Sequence, residues 1–214
     1  MTEYGSDEER FSAIIDFFKH NKNTLLIIFA SVFLVAISSV SYRSYVKNQN
    51  TQAAELYDGW MVDMGAQLQN SEKTSEDFNL LQKNYSSTGY AQLARMIRGS
   101  QLAREGDLDE ALNDFQELLS VSSGLFGNDL INSLARLSIA RIELSKEKYS
   151  NALEVLDSLN SESEHPMVYE VKGDALAGLG KIELALAQYS LSISNIQDES
   201  QKLLLKIKIN KLNQ

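Results

Sequence analysis

No cysteine occurs in the chain, which excludes disulfides, thiolate metal sites, thiol nucleophiles and lipidated cysteine. The redox compartment stays open, because an oxidising space permits disulfides without requiring them. Histidine is scarce as well: His20 and His165 are the only copies, too few for a histidine-based triad or a zinc site. Strand signals are almost missing, and Pro166 is the one proline. Turns are marked instead by Gly, Ser, Asn and Asp, as in "QNSEKTSED" and "NYSSTG". A basic surplus is also lacking. The 214 residues carry a net charge of -9, and the acidic balance argues against nucleic acid, whose binders need a basic face to release counterions.

That imbalance is local. Residues 1–47 hold five acids and five bases, whereas residues 48–214 hold 24 acids and 15 bases. Between the two parts lies "NTLLIIFASVFLVAISSVSY", residues 23–42, without a charge. Twenty helical residues cover roughly 30 Å, the hydrocarbon thickness of a bilayer. Lys22 closes the run on one side, Arg43 and Lys47 on the other, with Tyr42 and Tyr45 at the far boundary where amphipathic rings prefer to sit. A buried core helix would rarely run so long without a polar face. A cleavable signal peptide would need a shorter apolar region, so the run reads as an uncleaved signal anchor embedded in the lipid bilayer. Arg10, Lys19 and Lys22 precede it against two close followers, favouring a cytoplasmic N-terminus by a margin of one. Upstream, Phe11, Ile14, Ile15 and Phe18 recur at helical spacing, a face for a membrane surface or for packing within a complex. The expected organisation is a short N-terminus at 1–22, the anchor at 23–42, a juxtamembrane linker at 43–50 and a helical domain at 51–214.

The helical domain repeats itself. Placing Ala111, Ala152 and Ala185 in register aligns Gly106, Glu147 and Gly180 at a turn five positions earlier. Phe115, Leu156 and Tyr189 then coincide four positions later, and Gly99, Ala140 and Gly173 twelve positions earlier. A small residue lets two helix backbones approach, a turn separates them, and a large side chain fills the space beside them. This pattern resembles the tetratricopeptide repeat, most fully in the third copy, where Tyr169, Gly173, Leu176, Gly180, Ala185 and Tyr189 occupy signature positions. Arg95 and Arg136 depart from it, standing where an aromatic is expected. The spacing predicts repeats near 92–119, 133–160 and 166–193, an insertion at "VSSGLFGND", and a capping helix over 198–213 whose Leu203, Leu204 and Ile207 cover the end of the stack. Tyr57, Trp60, Met61, Met64 and Leu68 form an earlier stripe, and Thr74 with Asp77 has the spacing of a helix-start capping pair. The fold class is therefore all-α: one transmembrane helix followed by a tetratricopeptide-like solenoid.

Chemistry is hard to nominate. "GDALAGLGK" has Ala175 where a phosphate loop needs its first glycine and Ile182 where it needs Ser or Thr. Asp107, Asp109 and Glu110 lack the spacing of a calcium loop and suit a solvated helix start. No nucleophile, base and orienting group come together, so neither an enzyme nor a cofactor is expected. A binding module is: the first helix of each repeat lines a concave groove, to which the register assigns Met96, Ser100, Leu137, Arg141, Glu170 and Asp174.

The order of these features, with "FFKHNK" before the run, "YSSTGYAQLAR" entering the first repeat, "KGDALAGLGKIELALAQYS" and the terminal "LKIKINKL", resembles the YfgM family of bacterial membrane proteins over nearly the whole chain. The resemblance implies an ancillary subunit of the Sec translocon, anchored in the inner membrane with its N-terminus cytoplasmic and its repeat domain periplasmic. It further implies work beside the membrane-anchored chaperone PpiD on proteins emerging from the channel. A membrane-tethered scaffold or regulator of another envelope pathway, using the same groove, is the alternative.

Overall fold

The computed structural model describes residues 7–66, 72–124, 127–159 and 165–213, and side chains from residue 10 onward. Residues 1–6, Leu68 and Asn160, all within the segments considered above, lie outside the described residues. Every element is a helix among the described residues, and the chain divides into two compact units between Gln52 and Ala53.

In the first unit, α1 (Asp7–His20) precedes α2 (Lys22–Gly65), with Asn21 alone between them. α2 contains the apolar run and is long and apolar enough to cross a membrane. Within that run Ser31 Oγ donates to Ile27 O at 2.8 Å, which is how a hydroxyl is satisfied without water. Residues 43–50, expected as a linker, are helical. Asn50 and Thr51 donate to Val46 O and Lys47 O rather than capping an end, and no glycine or proline interrupts the stretch.

The second unit begins with the end of α2 and with α3 (Glu72–Tyr85). Trp60 and Phe78 pack at 5.9 Å between ring centres, with Ala53, Leu81, Ala91 and Ala94 around them. Met61, placed by periodicity on the same stripe, is exposed. Thr74 sits buried inside α3 instead of at its start, because the helix begins at Glu72. Asp77 lies beside Lys73 one turn away.

Three antiparallel hairpins follow: α4 (Gly89–Glu105) with α5 (Leu108–Val121), α6 (Asp129–Ser145) with α7 (Tyr149–Asp157), and α8 (Pro166–Gly178) with α9 (Ile182–Asn195). Four of these six helices start on a side-chain cap, and α7 and α9 do not. Thr88, Asp107 and Asn128 accept backbone N–H groups of α4, α5 and α6, and His165 Nδ1 accepts from Met167 N ahead of α8, whose first residue is Pro166. The insertion expected at "VSSGLFGND" lies instead in the helices on either side, α5 with 14 residues against nine in α7 and α6 with 17 against 13 in α8; the connector between Asp157 and Pro166 is no shorter than the one between Val121 and Asp129. There Asn128 N donates to Ser122 O, and a Cβ on Gly127 would lie 2.2 Å from that oxygen.

Inside the hairpins the repeated small residues touch the repeated large ones. A Cβ on Gly173 would lie 2.5 Å from the Tyr189 ring, and one on Gly99 would lie 3.2 Å from that of Phe115. Ala111, Ala140, Ala152, Leu156 and Ala185 are fully buried, and Phe115 and Tyr189 nearly so. Successive clusters then join each helix pair to the next, through Phe115 with Ile139 and Ile142, and through Leu156 with Val168 and Val171. A core built this way is one-dimensional, each repeat burying its neighbour's face.

α10 (Glu199–Leu212) closes the row, but with a different face from the one expected. Leu205 is buried, with Ile209 and Leu212 beside it, while Leu203, Leu204 and Ile207 are exposed. The reason is polar. Lys208 Nζ reaches Glu170 at 2.7 Å and Asp174 at 2.8 Å, and this fixes the rotation of α10.

Candidate interaction surface on the first helices of the repeats

α4, α6 and α8 pack against one another along the stack, so equivalent positions on them form rows. The six groove positions from the register meet different fates. Leu137 is buried in the core between the second and third repeats and is unavailable to a ligand. Met96 packs half-buried against the core below α4, and Ser100 is half-buried. Glu170 and Asp174 are held by Lys208, and Tyr189 OH donates to Asp174 Oδ1 at 2.8 Å. Burial, then the Asp174 carboxylate, pushes the Tyr189 hydroxyl above its ordinary pKa. For Lys208 burial opposes the charge, yet Asp174 and Glu170 together raise its pKa. The pair is thus an internal tie for α10. Arg141 alone among the six is exposed.

Another row does face outward. Leu93, Leu134 and Met167 occupy the same register position on α4, α6 and α8, and they are 41%, 37% and 39% exposed. Arg141 lies two helical turns from Leu134 on one stripe of α6. Apolar side chains repeated on adjoining helices, with a cation two turns further along the same face, suit an apolar segment carrying acceptor groups. The signal was available in sequence: each row member lies eighteen positions before its aligned alanine, three before Met96, Leu137 and Glu170.

The two arginines that depart from the repeat signature are structural. Arg95 Nη1 and Arg98 Nη1 lie 3.3 and 3.0 Å from Asp114 Oδ1, and Arg95 Nε donates to Gln82. Arg98 also stands 4.8 Å over the Phe78 ring. Arg136 donates to Asn132 and to Val155 O. The acids weighed as a calcium loop are dispersed: Asp107 caps α5, Glu110 pairs with Arg98, and Asp109 meets Lys146, whose hydrogen bond lowers its pKa. Among the described residues, no group of three or more His, Cys, Asp or Glu is placed to hold a metal.

Stacked helix hairpins with a small residue facing a large one in each describe a tetratricopeptide architecture, and the model of the tetratricopeptide repeat-like domain family matches residues 16–214. The chain belongs to this family. It is 27% identical over 206 residues to an "Ancillary SecYEG translocon subunit" of Neisseria gonorrhoeae, covering 92% of this chain and 95% of the relative. A protein of the same description from Escherichia coli is 21% identical over 216 residues, covering all of both chains. The resemblance to the YfgM family thus meets curated relatives along almost the whole length. Among solved structures, MamA 41-end from Desulfovibrio magneticus RS-1 superposes with a TM-score of 0.56 at 14% identity. It covers 74% of this chain and 84% of that one, a likeness of fold.

Proposed function

We propose that this chain is a non-enzymatic, membrane-anchored protein-interaction module, an ancillary subunit of the Sec translocon. Residues 23–42 hold it in the bacterial inner membrane with the N-terminus cytoplasmic, and the repeat domain works in the periplasm with a chaperone of the PpiD type on emerging secretory and envelope proteins. The observation that carries the reading is the exposed row Leu93–Leu134–Met167 with Arg141, borne on a domain tethered by an apolar helix. An emerging chain presents extended apolar segments and unpaired carbonyls, and such a row offers contacts for both. Tethering supplies the rest, since confinement to the membrane raises the local concentration of the domain near membrane partners without any new contact. Curated relatives that carry the translocon description and match along nearly the whole chain support the choice of partner.

Photo-crosslinking in native membranes tests this, with probes at Phe33 in the span and at Leu134 and Arg141 in the row. The expected capture is translocon subunits at Phe33 and a chaperone or secretory client at Leu134. Capture of an unrelated assembly complex at both places would move the function to a tethered scaffold of another envelope pathway.

A further inference from the structure

α1 exposes Phe11, Ile14, Ile15, Phe17 and Phe18 to between 47% and 70%. At about 100° per residue these five span an arc of roughly 160°, and Ser12, Asp16, Lys19 and His20 fall on the opposite side of the helix. Asp7, in the first turn, and Arg10 also fall within the arc, and the long stem of Arg10 can carry the guanidinium out to water. The apolar arc ends next to the span. Asn21 is the only residue between the helices: its N–H donates to Phe17 O, its side-chain amide donates to the same oxygen, and its own carbonyl accepts from Leu25 N, each at 2.9 Å. Both backbone bonds are i→i−4 bonds that carry the helical ladder through Asn21, so α1 lies flat only where this ladder opens at Asn21, and a face of this size, joined through one residue to a lipid-spanning helix, then has the boundary between headgroups and acyl chains within reach.

We infer that α1 is an in-plane helix embedded in the lipid interface at the N-terminal end of the span, with its phenylalanines and isoleucines toward the acyl chains. The inference rests on residues 23–42 crossing the bilayer. Its driving force is apolar. Asp7, Glu8, Glu9 and Asp16 outnumber Arg10 and Lys19 in α1, so attraction to anionic headgroups is not what holds it, and neutral phosphatidylcholine suffices.

The cysteine-free sequence makes the test direct. Single cysteines are introduced into the full chain as Phe11→Cys, Ser12→Cys, Ile14→Cys, Asp16→Cys and Phe18→Cys, with Phe33→Cys as a reference in the span. Each is labelled with an environment-sensitive fluorophore and reconstituted in phosphatidylcholine vesicles. The expected result is blue-shifted emission and loss of iodide quenching at positions 11, 14 and 18, full quenching at 12 and 16, and no change on adding salt. Equal quenching at all five positions, with Phe33 shielded, would overturn the in-plane helix and leave the span intact. Shielding of α1 only in native membranes, with quenching in pure lipid, would overturn it in favour of a protein partner. Quenching at Phe33 would overturn the span and this inference together.

Discussion

At the scale of single residues, the turn between the hairpin helices carries a measurable strain. Gly106 and Gly180 have φ of 91° and 72°, and at the equivalent turn Glu147 adopts φ of 58°. A side chain in the left-handed region costs about 1–2 kcal/mol, part of which glycine returns as unfolded-state entropy. Glu147→Gly should therefore stabilise the repeat domain by about 0.5–1 kcal/mol, read from the midpoint of urea unfolding; an unchanged or lower midpoint would show the turn to be unstrained. Asp114 makes a second case. It is 1% exposed, its Oδ2 has no hydrogen-bond partner, and burial raises its pKa against the pull of Arg98 and Arg95. Folding then takes up a proton over a window that opens at the ordinary carboxylate value of 3.8, so stability falls as pH rises through it. Across that window the native chain should lose stability relative to Asp114→Asn. Parallel stability curves for the two, by urea unfolding at stepped pH, would remove the assignment.

At the scale of elements, α10 shows why periodicity needs a partner to be read. "LLLKIKI" supplies two apolar stripes, Leu203 with Ile207 and Leu205 with Ile209, each one turn apart. Nothing in composition chooses between them. The choice falls to Lys208, whose Nζ finds Glu170 and Asp174 only when the second stripe faces α9. Leu205→Ala should thus cost about 3 kcal/mol of unfolding free energy, in the range for truncating a buried leucine. Leu203→Ala should stay within about 0.5 kcal/mol, as surface changes do. Equal losses in chemical denaturation would mean that α10 turns its other face inward. Leu137, assigned to the groove, is core for the same reason. Repeat register places Leu137 and Leu134 on one helix three residues apart, and only the packing of α7 and α8 decides that the first is core and the second surface.

At the scale of the molecule, the core of the second unit is a chain of neighbouring clusters, and its first cluster starts at Ala53. A soluble form beginning at Thr51 keeps that alanine and every later contact within the unit. It should fold, with helical circular dichroism and a single cooperative unfolding transition. In cells it should lose much of its function, because the tether that concentrates it at the membrane is gone. Restoration of a deletion strain as well as by the full chain, at matched abundance, would refute the need for the span.

The sequence by itself determined the apolar run, the all-helical class, the three hairpins and the turn register that put Glu147 among glycines. These are local or periodic properties, set by hydrophobic spacing, by small residues beside large ones and by caps within a few residues of where they act. Only the tertiary structure decided which of two apolar stripes is buried, that Arg95 and Arg98 serve Asp114, that Glu170 and Asp174 are spent on Lys208, and that Leu93, Leu134 and Met167 remain outside. Each depends on a partner between 16 and 38 residues away or on a neighbouring repeat. Burial and ion pairing are properties of the space between helices, which spacing along one chain does not specify.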